Sequence, residues 1–223
     1  MTARESGEAK LRRERVRANL EEVRERIAAA AARGGRDPAQ VEVCAATKYV
    51  PAQEMEALAE AGITLVGENR AQDLAAKVSA YGPRFTWDFI GHLQSRKVKQ
   101  VAPHVRLIHS VATDSVLAQL ERHAPPGTEV LVEVNTAGEQ SKAGIAPPQL
   151  SAFVERCPVR VVGLMTMPPL TADPQASRRY FAALRELAED LGLTTLSMGT
   201  SQDFEVAVEE GATIVRVGAV LYR

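Results

Sequence analysis

The stretch VEVCAATKYVPAQEMEALAEAGITLVG, residues 41–67, decides the fold. VEVCAAT (41–47) and ITLVG (63–67) are apolar runs of strand length, and Pro51 opens a helix between them that extends to Ala61. A strand, a helix and a second strand in this order are typical of a βαβ unit with parallel strands. The first predicted strand therefore ends at Thr47-Lys48.

The same alternation continues along the rest of the chain. Predicted helices cover 70–79, 95–101, 114–123, a segment begun by Pro147-Pro148, 174–191 and 202–210. Eight strands alternating with helices in a chain of this size predict an α/β fold, a single (β/α)₈ TIM-type barrel. We expect one domain over residues 1–223, with the barrel at about 41–223. The six further strands are TWDFIG (86–91), RLIHSV (106–111), EVLVEVN (129–135), VRVVGLM (159–165), TTLSMG (194–199) and ATIVRVG (212–218).

An additional helix precedes the barrel, at about 9–33. Gly34 and Gly35 end it, and charged residues fill the face opposite its apolar side chains. The chain ends five residues after Gly218, which leaves no room for an eighth outer helix. We expect the N-terminal helix to cover that gap. Its apolar residues at helical spacing are Leu11, Val16, Leu20, Val23 and Ile27.

Composition excludes several classes of protein. The 223 residues carry a formal net charge of -1, so no overall basic field favours nucleic acid or an anionic membrane. The two cysteines form no disulfide framework, and the four histidines show no metal-ligand spacing. No apolar run is long enough for a transmembrane helix, and the first residues do not resemble a secretory signal. These features predict a soluble cytoplasmic protein.

Lys48 is the first candidate for chemistry. Active sites of such barrels form at the carboxyl ends of the strands, where Lys48 follows an apolar strand. Side chains alternate along a strand, so Lys48 shares a face with Ala46 and Cys44. If that face is the barrel interior, a desolvated lysine is a Schiff-base nucleophile. The alternative is a lysine at the rim that extends into water.

The segment from Ser197 to Ser201 predicts an anion site. Gly199 allows close approach of the backbone, the hydroxyls donate hydrogen bonds, and a helix begins at Gln202. Barrels often bind phosphate after strands seven and eight, and Gly218 offers a second close approach. Alternatively, Ser201 is simply the N-cap of the helix.

Arg216 alternates with Ile214 and Gly218, so it points into the barrel, where an unpaired guanidinium is costly. It needs an anion or an acceptor such as a pyridine nitrogen. The alternative is an ion pair with an inward carboxylate such as Glu133. A lysine, a phosphate cradle and an inward arginine in one barrel together suggest a phosphorylated aldehyde as ligand.

Several blocks of the sequence resemble the pyridoxal phosphate homeostasis protein family, which looks like the barrel domain of alanine racemase without its second domain. The resemblance runs in collinear order over about residues 11–223. The blocks are AATKYVP around Lys48, VGENRAQD (66–73), WDFIGHLQSRKVKQV (87–101), VNTAGEQSKAGI (134–145), GLMTMPP (163–169) and the C-terminal segment LSMGTSQDFEVAVEEGATIVRVGAVLYR (196–223).

The resemblance implies a role for each matching residue. Lys48 matches the lysine that holds pyridoxal 5′-phosphate (PLP, a vitamin B6 form) as a Schiff base. Arg216 matches the arginine facing the pyridine nitrogen. The phosphate would lie against Ser197, Gly199, Ser201, Gly218 and Ala219, and the strand-end positions near the cofactor are Asn69, His92, Asn135 and Met165.

The sequence departs from the family pattern at three places. Thr200 stands where methionine is expected, Ala219 stands where threonine is expected, and the chain ends in VLYR rather than an AIFG-like tail. A hydroxyl lost at Ala219 removes one ordinary hydrogen bond to phosphate, worth about 0.5–1.5 kcal/mol. Backbone donors remain, so we expect binding to persist.

The resemblance implies a PLP carrier or regulator in intracellular PLP homeostasis, without robust turnover. Expected partners are PLP and apo-forms of PLP-dependent enzymes. The alternative is a PLP-dependent amino-acid racemase with a one-domain active site, which lacks the tyrosine that the second domain supplies in alanine racemase. A lysine-dependent aldolase is a third, weaker option.

Overall fold

A computed structural model of the chain confirms the predicted barrel. It describes residues 3–139 and 143–223, with the backbone alone for 3–9 and Leu11. Each strand is parallel to its neighbours, and β1 pairs with both β2 and β8, so the sheet closes in sequence order. The strands are β1 (Glu42–Ala46), β2 (Leu65–Glu68), β3 (Thr86–Phe89), β4 (Leu107–Val111), β5 (Glu129–Glu133), β6 (Arg160–Met165), β7 (Thr195–Thr200) and β8 (Ile214–Val217).

The predicted helices are present on the outside of the barrel, and short 3₁₀ turns precede several of them. The helix after β7 begins at Phe204 rather than at Gln202. No helix in the described ranges combines the length and the apolar composition needed to cross a membrane. The helices are α1 (Ala3–Arg33), α2 (Met55–Glu60), α3 (Ala71–Tyr81), α4 (Val98–Val101), α5 (Asp114–His123), α6 (Leu150–Glu155), α7 (Arg178–Asp190), α8 (Phe204–Glu209) and α9 (Ala219–Tyr222).

The hydrophobic core has two parts, as expected where side chains alternate between the two faces of each strand. The larger part fills the space between the barrel wall and the helices. The smaller part lies inside the barrel, where Cys44 from β1 packs with side chains of other strands. This interior group comprises Cys44, Leu65, Leu107, Leu131, Met165 and Ile214.

The long helix α1 packs against α8, α9 and α2 on the outside of the barrel, and so covers the predicted gap. Its apolar stripe from Val16 to Ile27 is buried. Arg26 forms an ion pair at 2.7 Å with Glu205 of α8, and Asn19 Nδ2 donates to the carbonyl of Leu221 in α9 at 3.0 Å. The predicted contribution of Leu11 lies outside the described side chains, and residues 140–142 of the motif at 134–145 lie outside the described ranges.

Candidate ligand site at the barrel mouth

A cavity of about 640 Å³ opens at the carboxyl end of the barrel. Predicted site residues from four strand ends meet on its wall. Part of the remaining wall comes from α1 and from Tyr222 of α9, which the sequence analysis did not single out. The predicted residues on the wall are Lys48, Asn69, Ser201, Arg216, Gly218 and Ala219, and Thr200 lies beside them.

Lys48 lies in a turn rather than in the strand. Because β1 ends at Ala46 and the carbonyl of Thr47 accepts from the amide of Val50 at 2.9 Å, Lys48 and Tyr49 are the two central residues of a β-turn. The Lys48 side chain is exposed, and its Nζ lies 4.8 Å from the centre of the Tyr49 ring. Of the two alternatives for Lys48, the structure therefore matches the lysine at the rim of the barrel and not the one desolvated in its interior.

The two segments predicted to cradle a phosphate contact each other. Ser201 Oγ accepts from the amide of Gly218 at 3.0 Å and from that of Val220 at 3.4 Å. Ser201 therefore does not cap α8. Asp203 precedes that helix, and its carboxylate accepts from the amide of Thr200 at 2.8 Å.

Arg216 points into the barrel, as predicted, and is 4% exposed. Its Nη1 donates to Ser197 Oγ at 2.5 Å and its Nη2 to the carbonyl of Thr166 at 3.0 Å. The alternative of an ion pair with Glu133 is not found among the described residues. Burial lowers the pKa of Arg216 and raises the pKa of Glu133.

A chain of polar side chains continues from Ser197 through the barrel interior to its amino end. Ser197 Oγ lies 2.8 Å from His109 Nδ1, and His109 Nε2 lies 3.1 Å from Asp88 Oδ2. Arg106 donates to Asp88 at 2.7 Å and to Glu42 at 2.7 Å. This chain was not predicted from the sequence, although Asp88 in the middle of an apolar strand was a visible signal.

The donors along this chain can be assigned from its ends. An arginine only donates and a carboxylate only accepts, so Ser197 Oγ accepts from Arg216 and His109 carries its hydrogen on Nε2. In the neutral ring Nδ1 then accepts from the Ser197 hydroxyl. The Nε2–H of His109 then donates to Asp88. Burial lowers the pKa of His109, which favours this neutral form.

Three other predicted residues do not line the cavity. They lie within the barrel or in its strands. Met165 is buried inside the barrel, and Ser197 lies behind Arg216. Gly199 faces α8, where an added Cβ would come within 2.6 Å of the Cβ of Ala207. Gly199 therefore serves the packing of α8 on β7.

The remaining two, His92 and Asn135, also lie off the cavity wall. His92 is exposed. Asn135 Nδ2 donates to the carbonyl of Glu139 at 2.8 Å, and its Oδ1 is buried with no hydrogen-bond partner in the described residues. No group of three His, Cys, Asp or Glu side chains within these ranges is arranged to hold a metal ion.

The cavity wall fits a phosphorylated aldehyde in its chemistry. Lys48 offers an amine, Arg216 a cation, and Asn69 a buried Oδ1 that lacks a hydrogen-bond partner in the described part of the chain. Gly218 packs closely beside β1, because a Cβ there would lie 3.3 Å from the carbonyl oxygen of Ala46. Gly91 packs against the backbone of Asn69, where a Cβ would come within 2.2 Å of the carbonyl oxygen.

The fold and this site define a (β/α)₈ barrel protein with a cationic ligand site at the carboxyl ends of its strands. The chain belongs to the pyridoxal phosphate homeostasis protein family. It is 40% identical over 217 residues to the pyridoxal phosphate homeostasis protein of Aquifex aeolicus (strain VF5), covering 91% of this chain and 95% of the relative. No family model matches the chain.

Solved structures agree with this assignment. PipY of Synechococcus elongatus PCC7942, determined with PLP bound, is 30% identical, covers 93% of this chain and 100% of its own, and has a TM-score of 0.79. A lysine/ornithine decarboxylase from Vibrio vulnificus is 13% identical with a TM-score of 0.66, and the match covers 94% of this chain and 62% of the decarboxylase. The decarboxylase shares the fold alone.

Proposed function

We propose that this protein binds PLP through a Schiff base on Lys48 and acts in intracellular PLP homeostasis as a carrier or regulator without robust catalytic turnover. The observation that carries the proposal is one cavity in which Lys48, Asn69, Ser201, Arg216 and Gly218 meet. The PLP bound to the solved relative PipY supports it.

Lys48 supplies the covalent link. Its amine lies on the cavity wall, where it would hold the aldehyde of PLP as a Schiff base. Ser201 and Gly218 both line the cavity, and Ser201 Oγ, which accepts from the amide of Gly218, keeps its own O–H to donate to the phosphate. Asn69 offers its unpaired Oδ1 to a donor on the ligand. Ala219 contributes no hydroxyl, so its share of phosphate binding falls to the backbone.

Arg216 gives a physical reason why the protein would bind PLP without catalysing a robust reaction. Bound PLP supplies an electron sink for carbanions, and the sink is strongest when the ring nitrogen carries a proton. Arg216 is held by Ser197 and the carbonyl of Thr166, and a guanidinium only donates hydrogen bonds. Arg216 would donate to the ring nitrogen of bound PLP and so would keep it unprotonated, which would weaken the sink.

An amino-acid racemase is the alternative. Racemisation needs a proton donor or acceptor on each face of the substrate carbon. Tyr222 is the tyrosine of α9 on the cavity wall, but its hydroxyl is buried, and burial raises its pKa further above neutral. Tyr222 therefore makes a poor proton-transfer partner for Lys48.

The visible absorption spectrum with and without added PLP tests the proposal. We expect an absorption band of the Schiff base in the wild type and its loss in Lys48→Ala. After borohydride reduction the label should map to Lys48. Lys99→Ala is the matched control, because Lys99 is an exposed lysine on α4 outside the cavity wall and its loss should leave the band unchanged.

Two outcomes would contradict the proposal at different levels. Absence of the band in the wild type with excess PLP would exclude the covalent site. A band that persists in Lys48→Ala would move the link to another lysine. For the carrier role, the loaded protein should activate an apo-enzyme faster than free PLP at equal concentration, and sustained loss of optical activity of one amino-acid enantiomer would instead favour the racemase.

A further inference from the structure

The strands β1 and β2 end in the same arrangement. Thr47 is followed by Lys48, and Glu68 is followed by Asn69. Since Leu65 lies inside the barrel, alternation directs Glu68 outwards, towards α3, and the Thr47 side chain contacts the same carboxylate. The next residue of each pair lines the cavity. A group that holds Thr47 and Glu68 from the outer side of the barrel therefore also positions Lys48 and Asn69, which face the cavity.

A buried ion pair holds both of them. Lys77 of α3 is 5% exposed and Glu68 is 0% exposed. Lys77 Nζ lies 2.5 Å from Glu68 Oε1 and donates to the carbonyl of Thr47 at 2.8 Å. The Thr47 hydroxyl donates to the same Glu68 oxygen at 2.5 Å. One lysine thus joins the ends of two strands to a helix.

Stability alone does not explain such a pair. Burying two charges costs several kcal/mol per ion, and well-packed apolar residues in place of a buried pair are often neutral or stabilising. Glu68 Oε2 is also buried without a hydrogen-bond partner in the described residues, which adds to the cost. A feature with this cost beside the ligand site points to a role in the site.

The ion pair of Lys77 and Glu68 affects Lys48 through the carbonyl of Thr47. It accepts from Lys77 Nζ and also from the amide of Val50, the bond that closes the turn containing Lys48. We propose that Lys77 and Glu68 are positioning residues for Lys48. They hold this turn so that the amine stays at the mouth of the cavity. The inference rests on the proposed function for the identity of the aldehyde that Lys48 attacks.

The double variant Lys77→Met/Glu68→Gln tests this role. It removes both charges and keeps both side chains similar in length, so that no unpaired charge is left buried. Leu74→Ala is the matched control, because Leu74 is a fully buried residue of the same helix whose side chain makes neither of these polar contacts. The control loosens α3 and leaves the hydrogen bonds of Thr47 in place.

Two measurements separate a positioning role from a general loss of stability. We expect hydrogen exchange of the Val50 amide to be about fivefold faster in the double variant, the factor that one ordinary hydrogen bond contributes. Attachment of PLP to Lys48, trapped with borohydride, should be slower by a similar factor of about five. Leu74→Ala should lower the stability and leave both measurements unchanged.

The exchange measurement needs no PLP, so the inference can fail separately from the proposed function. The inference would be overturned if the folded double variant exchanged its Val50 amide and attached PLP to Lys48 at the same rates as the wild type. Equal changes in Leu74→Ala would reduce the pair to a structural role. If the double variant does not fold, Thr47→Val decides, because it removes the hydroxyl contacts with Glu68 and with the carbonyl of Gly67 while leaving the ion pair in place, and it should speed Val50 exchange in the same direction. If PLP does not attach to Lys48 in the wild type, the proposed function is contradicted, and the exchange measurement still tests the inference.

Discussion

Arg216 lies among neutral hydrogen-bond acceptors, Ser197 Oγ and the carbonyl of Thr166, rather than beside a carboxylate. A guanidinium held in this way keeps its charge available to a ligand at the mouth, because no described anion is paired with it. The position of the group depends on Ser197, which also donates to His109 behind it. One hydroxyl therefore links the cavity wall to the polar chain in the barrel interior.

Ser197→Ala should lower the free energy of unfolding by about 1–3 kcal/mol, because it removes a buried hydrogen bond from Arg216 Nη1 and another from His109 Nδ1. Urea unfolding measures the change. Ser201→Ala is the matched control: its hydroxyl also accepts hydrogen bonds, but it lies on the cavity wall where water can replace it, so we expect a cost below about 1 kcal/mol. Equal costs for the two variants would contradict the role of Ser197 in holding Arg216.

At the scale of elements, the contact of α8 with β7 depends on Gly199. Its φ is +90°, a conformation that disfavours a Cβ, and the added Cβ would lie 2.6 Å from Ala207 Cβ and 2.9 Å from Phe204 Cα. A residue with a side chain must therefore push α8 away from the strand. Because β7 leads to Ser201, this packing also sets the position of one side of the cavity.

Gly199→Ala should destabilise the protein through both backbone strain and overpacking. Gly127→Ala is the matched control, because Gly127 has a similar φ of +82° but nothing within 4 Å of an added Cβ. The control should show the strain alone, about 1–3 kcal/mol, and Gly199→Ala should exceed it by about 1–3 kcal/mol. Denaturant unfolding of both variants gives the difference. A difference near zero would mean that α8 shifts at no cost.

The sequence predicted the elements well because each strand is an apolar run between amphipathic helices. Helix α9 was missed, because four residues after Gly218 carry no periodic signal. The turn at Lys48 was also missed, since strand alternation predicts a side chain's direction only while the strand continues. Contacts such as that of His109 with Ser197, 88 positions apart, follow from the barrel's register and not from any local pattern.

For the molecule as a whole, the buried polar chain couples stability to pH. Burial lowers the pKa of His109, so the folded state stays neutral where the unfolded chain binds a proton. Burial alone would raise the pKa of Asp88, but hydrogen bonds from His109 and Arg106 outweigh it and lower the pKa. In both cases the unfolded state binds more protons in acid, so stability falls as the pH falls, below about 6.5 for His109 and below about 3.9 for Asp88.

Glu133 acts in the opposite direction. Burial raises its pKa, so its contribution to stability is present in acid and is lost as the pH rises through the folded-state value. The pH profile of the wild type therefore combines opposing contributions over the range from about pH 4 to 7. Only a comparison with a variant that lacks His109 separates the contribution of this histidine to the pH dependence of stability.

His109→Gln supplies that comparison, because glutamine cannot take up the proton and still offers an amide N–H to Asp88. We expect the variant to be less stable than the wild type near neutral pH and the gap to narrow below about pH 6.5, by up to about 1.4 kcal/mol per pH unit. Urea unfolding between about pH 8 and pH 5 measures it. His123→Gln, at an exposed histidine in the last turn of α5, is the control. Parallel profiles for the wild type and His109→Gln would show that proton uptake by His109 does not limit the stability of the barrel in acid.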